Sequence, residues 1–259
     1  MSVEPAGPLV DPIEITELCS RYGEMRVLER ITLTVRPGET VGLIGLNGAG
    51  KTTLLKSILM LMRPLAGTVR LFGEPHESPS SRARLAYLPE KFQPPGHLCG
   101  LDFVRMTLAF HHRSARRAAI SVRAEQLDLD PSVLNRRIRT YSKGMAQKLG
   151  LLATLMTDLP LLILDEPMSG LDPKARMRLK QQLAGCRARG QAVFLSSHIL
   201  ADHDELCDRI AILHRGRLDY VGSPAQLKER EKAATLETAF LTAIEDAPSP
   251  KPLAEALNG

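Results

Sequence analysis

Apolar residues recur along this chain with two different spacings, which divide it into predicted strands and predicted helices. Residues 13–19 and 31–35 alternate apolar and polar positions, a pattern typical of half-buried antiparallel strands. Residues 68–72 and 85–88 predict two further strands. Unbroken apolar runs, which indicate fully buried strands, occur at 40–44, 161–164 and 192–195.

Helical spacing fills much of the rest of the chain. The apolar positions from Leu54 to Met62 predict a helix soon after the first fully buried strand. Residues 91–160 then change to mostly helical patterns, which lie at 101–111, 115–127 and 145–156. We expect this stretch to be a helical subdomain inserted into an α/β core.

One domain is expected over residues 13–225. Residues 1–12 are acidic and proline-rich, which predicts a flexible lead without a secretory signal. A closing hairpin is predicted at 209–213 and 216–221. A helical extension over 226–259 should follow, with helix to about residue 244 and a mobile tail from residue 245.

Composition and charge narrow the class of protein without assigning a function. Lysine and arginine number 34 against 29 acidic residues, and the net charge of +5 mildly favours anionic partners such as nucleotide, acidic lipid or nucleic acid. Cys19, Cys99, Cys186 and Cys207 are widely spread without a C-x-x-C pair, which favours reduced thiols over metal or disulfide roles. No apolar run approaches the ~18 to 20 residues of a membrane-spanning helix, so membrane association is expected to be peripheral.

The segment 45–53, G-L-N-G-A-G-K-T-T, matches the phosphate-binding pattern G-x-x-x-x-G-K-[ST] and lies between a buried strand and a helix, as that pattern requires. Its glycines allow backbone N–H groups to turn toward phosphate oxygens. Lys51 is expected to reach the β- and γ-phosphates, and the Thr52 hydroxyl to bind Mg²⁺. The alternative is a chance glycine-rich turn, which the flanking elements disfavour.

Acidic and imidazole groups follow two other buried strands. Asp165 is expected to hold Mg²⁺ through water and Glu166 to orient and polarise an attacking water, two tasks that in-line phosphoryl transfer needs besides a phosphate loop. His198 follows the strand at 192–195, and the carboxyl ends of strands line the ligand crevice of a doubly wound sheet. Taken alone, the acids would be an exposed strand end and the histidine a structural residue.

Asp172 and Pro173 are predicted to begin a long helix as N-cap and first residue.

Two further features allow either a binding role or a structural one. Tyr22 could stack on an adenine base or pack at a strand end. The basic clusters at 111–117 with Arg123 and at 136–139 could contact acidic lipid or nucleic acid, although solvated helix faces are the favoured interpretation. The adjacent His111 and His112 lack the spacing of a helical metal site and are interpreted as surface residues.

These motifs together resemble, in order and over most of the chain, the ATP-binding subunit of an ABC transporter. They are Tyr22, the Walker A loop at 45–53, the signature region at 141–145, the Walker B run at 161–166, the D-loop at 169–172 and His198. The fold implied is α/β, a P-loop NTPase with a RecA-like core, an antiparallel β subdomain and the inserted α-helical subdomain.

The resemblance also implies ligands and roles. ATP and Mg²⁺ would be the cofactors, Glu166 and His198 would be catalytic, and Thr52, Asp165 and Glu90 would lie at the metal. The residues that would bind nucleotide are Tyr22, Gly45, Asn47, Gly48, Ala49, Gly50, Lys51, Thr52, Thr53, Glu90, Ser142, Gly144 and Asp172.

Several positions depart from the family pattern. Lys143 and Met145 replace a glycine and a glutamine of the signature, Leu46 replaces a common proline, and Glu90 stands where glutamine is usual. The variants Y-S-K-G-M and Y-L-P-E resemble those of subunits that serve ABC-2-type permeases, which implies export. Glu90 still offers an oxygen near Mg²⁺ but adds a charge.

The resemblance implies an assembly as well. Each ATP would lie between the Walker A loop of one subunit and Ser142 and Gly144 of a second copy of this chain. The dimer would bind integral membrane permease subunits at the cytoplasmic face of the inner (plasma) membrane, with no nucleic acid expected. Two alternatives are a soluble ABC-class ATPase acting on nucleic acid or ribosomes, and a nucleotide-binding regulatory module without turnover. This chain shows neither the paired ATPase cassettes nor the very long coiled-coil insertions of the first class. Intact Lys51, Asp165, Glu166 and His198 disfavour the second.

Overall fold

The computed structural model describes residues 10–22 and 25–245, except for the side chain of Tyr22. Most of the predicted N-terminal lead, the tail beyond residue 245 and the predicted role of the Tyr22 ring therefore lie outside the described part of the chain. In chain order the strands are β1 (Ile13–Tyr22), β2 (Met25–Val35), β3 (Thr40–Ile44), β4 (Ala66–Leu71), β5 (Glu74–Pro75), β6 (Leu85–Leu88), β7 (Leu161–Asp165), β8 (Ala192–Ser196), β9 (Arg209–His214) and β10 (Arg217–Gly222). The helices are α1 (Lys51–Ile58), α2 (Pro79–Arg82), α3 (Gly100–Phe110), α4 (Arg117–Gln126), α5 (Lys143–Leu155), α6 (Pro173–Ala188), α7 (Leu200–Leu206), α8 (Pro224–Arg230) and α9 (Leu236–Glu245).

The larger sheet has the strand order β10-β9-β3-β8-β7-β6. Its neighbours from β9 to β6 pair in parallel, and β10 runs antiparallel to β9, which confirms the predicted closing hairpin. Every residue of β3, β7 and β8 is buried, as expected for strands that are covered on both faces and that read as continuous apolar runs. Because these strands are parallel, their carboxyl ends meet at one edge of the sheet.

The smaller sheet is antiparallel, with the order β2-β1-β4-β5. Its apolar face packs in one hydrophobic cluster with α1 and with inward side chains of the larger sheet, among them Leu54, Ile58 and Phe194. The other face of the larger sheet packs on the remaining helices in a second cluster. Helix α1 is therefore held between two sheets, which fixes the loop that precedes it.

Within the described residues, the chain between β6 and β7 contains only helical elements, α3, α4 and α5 together with two short 3₁₀ turns at Pro131–Asn135 and Ile138–Thr140. The α/β fold with an antiparallel subdomain and inserted helices thus has the form that the sequence indicated. Every helix in the described ranges falls short of the length and apolar character that a membrane span requires.

Two predicted helices have different bounds in the structure. Helix α1 ends at Ile58 rather than Met62, because Met60 adopts a left-handed φ of 58° and the Leu61 N–H turns back to the Lys56 carbonyl at 2.8 Å. The helical extension is two helices, α8 and α9, because the chain turns between them with Lys232 at φ 51°.

Candidate functional site

A cleft of about 520 Å³ opens at the carboxyl edge of the larger sheet. The loop between β3 and α1 forms one wall, and residues that follow β6, β7 and β8 form the other. Predicted site residues that line it are Asn47, Gly48, Gly50, Lys51, Thr52, Thr53, Glu90, Asp165, Glu166 and His198. Four separate segments of the sequence therefore meet at one cavity.

The loop between β3 and α1 owes its shape to glycines at two kinds of position. Gly48 and Gly50 have φ angles of 83° and 110°, in the region that other residues rarely adopt. A Cβ on Gly45 would lie 2.4 Å from the Leu213 carbonyl oxygen, so the loop packs directly against the backbone of β9. Gly50 is also the N-cap of α1 and provides no side-chain cap, which leaves the helix N-terminus suited to an anionic ligand at the cleft.

Lys51 is held by the carbonyls of its own loop. Its Nζ donates to the Gly45 oxygen at 2.6 Å and to the Leu46 oxygen at 3.4 Å. Burial lowers the pKa of the Lys51 ammonium, while the negative charges of Glu166, Asp165 and Glu90 act in the opposite direction. The side chain is thus a partly desolvated cation that faces a group of carboxylates.

Asp165 ends β7 and is only 6% exposed. Its Oδ1 accepts a hydrogen bond from the Ser196 hydroxyl at 2.6 Å. Burial is the main cause that raises the pKa of the Asp165 carboxyl, and the charges of Glu90 and Glu166 add to it, whereas Ser196 and Lys51 act to lower it. A buried carboxylate beside other acids would be stabilised by a bound cation.

The residues present fit Mg²⁺ held together with phosphate. Among the described residues, no three acidic, histidine or cysteine side chains are close enough to hold a metal by themselves. Mg²⁺ commonly takes one or two protein oxygens and completes its shell with water and substrate phosphates. The oxygens of Thr52, Asp165 and Glu90 along the cleft are suited to that arrangement.

Glu166 and His198 form a contact pair in one wall of the cleft. The His198 Nδ1 lies 2.6 Å from Oε2 of Glu166, although the two residues are 32 positions apart in the chain. Glu166 adopts a left-handed φ of 51°, and its N–H contacts the Ser196 carbonyl at 3.2 Å and the Ser196 hydroxyl at 3.1 Å. A left-handed φ is unfavourable for glutamate, and it occurs here at a residue that lines the cleft.

Sequence reasoning missed Ser196 as a site residue. Its buried hydroxyl donates to Asp165 and accepts from the Glu166 N–H, so one side chain orients both acids. Asp165 and Ser196 are register partners in the parallel pair of β7 and β8. The sequence did contain a sign of this role, because Ser196 is a hydroxyl residue directly after the buried apolar run at 192–195.

Tyr87 lies close enough to the acidic group to feel its charge, although it does not line the cleft. The half-buried phenol lies on β6, three residues before Glu90, and its burial together with the charges of Asp165 and Glu90 raises the pKa of Tyr87 to about 12. At neutral pH the phenol is an uncharged neighbour of the acidic group, as an ordinary tyrosine would be.

Three predicted nucleotide-binding residues outside the phosphate loop do not line this cleft. The Ser142 hydroxyl caps α5 by accepting from the Met145 N–H at 3.2 Å. A Cβ on Gly144 would lie 3.0 Å from the carbonyl of Gly170 in the predicted D-loop. Asp172 caps α6 through the Ala175 N–H, as predicted, and also accepts from Lys148 at 3.4 Å. Ser142 and Gly144 therefore lie at a second surface near the D-loop.

Two remaining residues of the loop, Gly45 and Ala49, do not line the cleft. Ala49 is buried and packs in the core cluster that contains α1, and the Gly45 carbonyl accepts a hydrogen bond from Lys51. Neither residue lines the cavity, so their predicted part in nucleotide binding would be limited to the shape and backbone of the loop.

Comparison with protein families and known proteins gives a consistent result. A family model described as "ABC transporter" matches residues 28–169. An "Uncharacterized ABC transporter ATP-binding protein" of Nostoc sp. is 39% identical over 203 residues, which are 77% of this chain and 61% of the relative. A "Nod factor export ATP-binding protein I" of Burkholderia orbicola is 36% identical over 233 residues, 86% of this chain and 74% of the relative. This chain thus spans about three fifths of the length of the first relative.

Solved structures agree with this fold. The structure described as "Structure of ATP binding subunit of ABC transporter" matches with a TM-score of 0.83 at 32% identity, over 89% of this chain and 98% of its own. A dimeric ATP-binding cassette in a post-hydrolysis state, bound to ADP and Pi, matches with a TM-score of 0.73 over 82% of this chain and 98% of its own. Its identity of 22% supports the fold alone.

Proposed function

Because this chain belongs to the ABC transporter family, as one of its ATP-binding proteins, we propose that it binds and hydrolyses ATP in the cleft and so powers a membrane-embedded permease. The observation that carries the proposal is the meeting of Lys51, Asp165 and the Glu166–His198 pair at a single cavity. These groups come from three segments of the chain and supply the cation, the metal ligand and the base that phosphoryl transfer needs.

Phosphate binding would use the loop between β3 and α1. Backbone N–H groups near Gly48 and Gly50 and the N-terminus of α1 would hold the phosphate oxygens. The Lys51 ammonium would leave the carbonyls of Gly45 and Leu46 and turn to the phosphates, which carry full negative charge. Thr52 and Asp165 would hold Mg²⁺, which supplies charge neutralisation at the transferring phosphoryl group.

Water activation would depend on Glu166. Its carboxylate would accept a hydrogen bond from the attacking water and polarise it, while His198 fixes one carboxylate oxygen at 2.6 Å. Ser196 would hold the backbone of Glu166 and the side chain of Asp165 in one arrangement. The base and the metal ligand would therefore keep a constant separation during turnover.

The assembly proposed is a dimer of two copies of this chain. Ser142 and Gly144 lie away from the cleft of their own chain, which supports a role at the cleft of a second copy, and one structural neighbour is a dimer. The dimer would lie at the cytoplasmic face of the plasma membrane, bound to an exporting permease of the ABC-2 type. The Y-S-K-G-M sequence and the export named for the Burkholderia relative support that direction of transport.

The experiment that tests this function is isolation of the tagged chain from detergent-solubilised membranes of cells that produce it naturally. We expect a multi-spanning membrane protein to co-purify, and the isolated complex to release phosphate from Mg²⁺-ATP. Recovery with ribosomes or nucleic acid instead would favour a soluble ATPase. Nucleotide binding without phosphate release by the complex would favour a regulatory module.

A further inference from the structure

His203 is a buried imidazole that the proposed chemistry does not use. It lies in α7, is completely shielded from solvent and does not line the cleft. Its Nε2 lies 3.0 Å from the carbonyl oxygen of Ser197, and its Nδ1 lies 3.5 Å from Sγ of Cys207. Both ring nitrogens therefore have a protein partner.

These contacts fix the protonation of the ring. A carbonyl oxygen can only accept, so Nε2 carries the proton that it donates to Ser197. Burial lowers the pKa of His203 to about 4, so the ring is neutral near neutral pH and Nδ1 keeps its lone pair. Burial also raises the pKa of the Cys207 thiol well above its usual range, so Sγ–H is available to donate to Nδ1.

The ring fits only because β3 has a glycine beside it. A Cβ on Gly42 would lie 2.2 Å from Nδ1 of His203 and 2.7 Å from Sγ of Cys207. Gly42 is three residues before Gly45, the first residue of the phosphate loop. The imidazole thus packs on the strand that leads into the loop while it holds the backbone at the end of β8.

The backbone at Ser197 matters because His198 follows it directly. The His198 side chain is 64% exposed, so packing does little to fix its position. Its location must depend on the backbone from Ser197 to Ile199, where the Ile199 N–H donates to the Ser197 hydroxyl at 3.1 Å and the Ser197 carbonyl accepts from His203.

We propose that His203 is a positioning residue for ATP hydrolysis, which holds the Ser197 carbonyl and thereby places His198 against Glu166. The inference rests on the proposed function, because it assigns His203 an effect only through the Glu166–His198 pair. His203 is buried and does not line the cleft, so it would act on the reaction only through other residues.

The test compares His203→Leu with His203→Gln. Leucine fills similar space without a donor, whereas the glutamine amide can still donate to the Ser197 carbonyl. We expect His203→Leu to lower kcat for Mg²⁺-ATP by about 10- to 100-fold, the size of effect that a misplaced catalytic group produces, with KM within about twofold. Glutamine should restore most of the lost kcat.

A second comparison separates positioning from general destabilisation. Cys207→Ala removes the partner of Nδ1 but leaves the donor to Ser197, so its kcat should stay near that of the wild type even if its Tm falls. In a His198→Ala background, adding His203→Leu should change kcat by no more than about twofold, because the residue through which His203 acts is already absent.

Any one of the following results would contradict the proposed role of His203. An unchanged kcat in His203→Leu, a glutamine variant as slow as leucine, or a full additional loss in the His198→Ala background would each show that His203 does not act through His198. A wild-type rate in His198→Ala would do the same. If the wild-type complex itself releases no phosphate, the proposed hydrolysis fails first and the positioning role fails with it.

Discussion

At the scale of single residues, the candidate site is a balance of partly buried charges. Lys51 is bound to loop carbonyls, Asp165 is buried with a raised pKa, and Glu90 and Glu166 add to the negative charge around them. The three carboxylates repel one another, and a bound cation would relieve that repulsion. The arrangement should therefore favour ligand binding at the expense of the stability of the free protein.

Lys51→Ala tests the cation of the phosphate loop. We expect it to weaken ATP binding by about 10- to 100-fold, which corresponds to the loss of a hydrogen bond to a charged group. Equilibrium binding of a fluorescent ATP analogue measures this change. Lys56→Ala is the matched control, since Lys56 is an exposed lysine on the same helix, and equal affinities of the two variants would remove Lys51 from the site.

Asp165→Asn tests the buried acid by separating stability from function. Because the pKa of Asp165 is raised on folding, its ionised form costs stability at neutral pH, and this cost disappears as the pH falls through the raised pKa. Asparagine can still accept from Ser196 without the charge. We expect the Tm of the nucleotide-free variant to exceed that of the wild type at neutral pH, and the difference to shrink toward about pH 4, near the ordinary pKa of aspartate.

Differential scanning calorimetry at both pH values measures this effect, and a phosphate-release assay should show loss of Mg²⁺-dependent turnover in the same protein. A lower Tm for Asp165→Asn at neutral pH would show that the carboxylate is stabilised by its neighbours rather than strained by burial.

At the scale of elements, the loop between β3 and α1 is shaped by contact with β9 as well as by its ligand. The Gly45 backbone lies against the Leu213 carbonyl, whereas the space around Gly48 is open on the side where a Cβ would point. The two glycines therefore serve different purposes. Gly45 allows the loop to pack closely against the sheet, and Gly48 supplies a left-handed turn at the cleft.

Gly45→Ala and Gly48→Ala should separate these purposes. A Cβ at Gly45 would clash with backbone, so we expect a clear fall in Tm together with weaker ATP binding. At Gly48 the added methyl meets no atom, and the strain of its positive φ, about 1–2 kcal/mol, should lower Tm less while still weakening ATP binding. Thermal unfolding and nucleotide binding of both variants provide the measurement. A larger Tm loss at Gly48 than at Gly45 would contradict this division of roles.

At the scale of the whole molecule, the chain presents two separate halves of the proposed site. The cleft at the edge of the larger sheet holds Lys51 and Glu166, and the N-terminus of α5 with Ser142 lies near the D-loop instead. A symmetric pair of chains would bring each half to the complementary half of its partner. Dimerisation would then depend on bound ATP.

Glu166→Gln tests catalysis and assembly together. The variant keeps the shape of the side chain and removes its charge, so turnover should fall by ~10²–10⁴-fold, the range of general-base assistance. ATP should still bind through Lys51, Thr52 and Asp165. Light scattering with Mg²⁺-ATP should therefore detect an accumulated dimer of the variant, while the wild type returns to monomer or to an open dimer.

Normal hydrolysis by Glu166→Gln would show that another group activates the water. An inactive variant that binds ATP but never dimerises, even with its permease present, would remove Ser142 and Gly144 from a shared site. A Ser142→Ala change in the Glu166→Gln background is the matched control, and it should reduce the dimer without affecting ATP binding to one chain.

The sequence alone determined the phosphate loop, the acidic pair and most of the strands. Each of these depends on residues that are consecutive or regularly spaced, such as the glycines before Lys51 or the apolar run before Asp165, and local periodicity reports such features directly. It also predicted that strand ends would meet, because parallel strands place their carboxyl ends at one edge.

The tertiary structure decided which side chains touch and where the elements stop. The contact of His198 with Glu166 and the bridge of Ser196 to both acids depend on the register of β7 beside β8, which no short sequence window contains. The end of α1 depends on a left-handed Met60, a conformation that methionine does not favour by itself and that the surrounding fold must impose. Contacts between residues far apart in the chain are set by packing of whole elements, so only the folded chain reveals them.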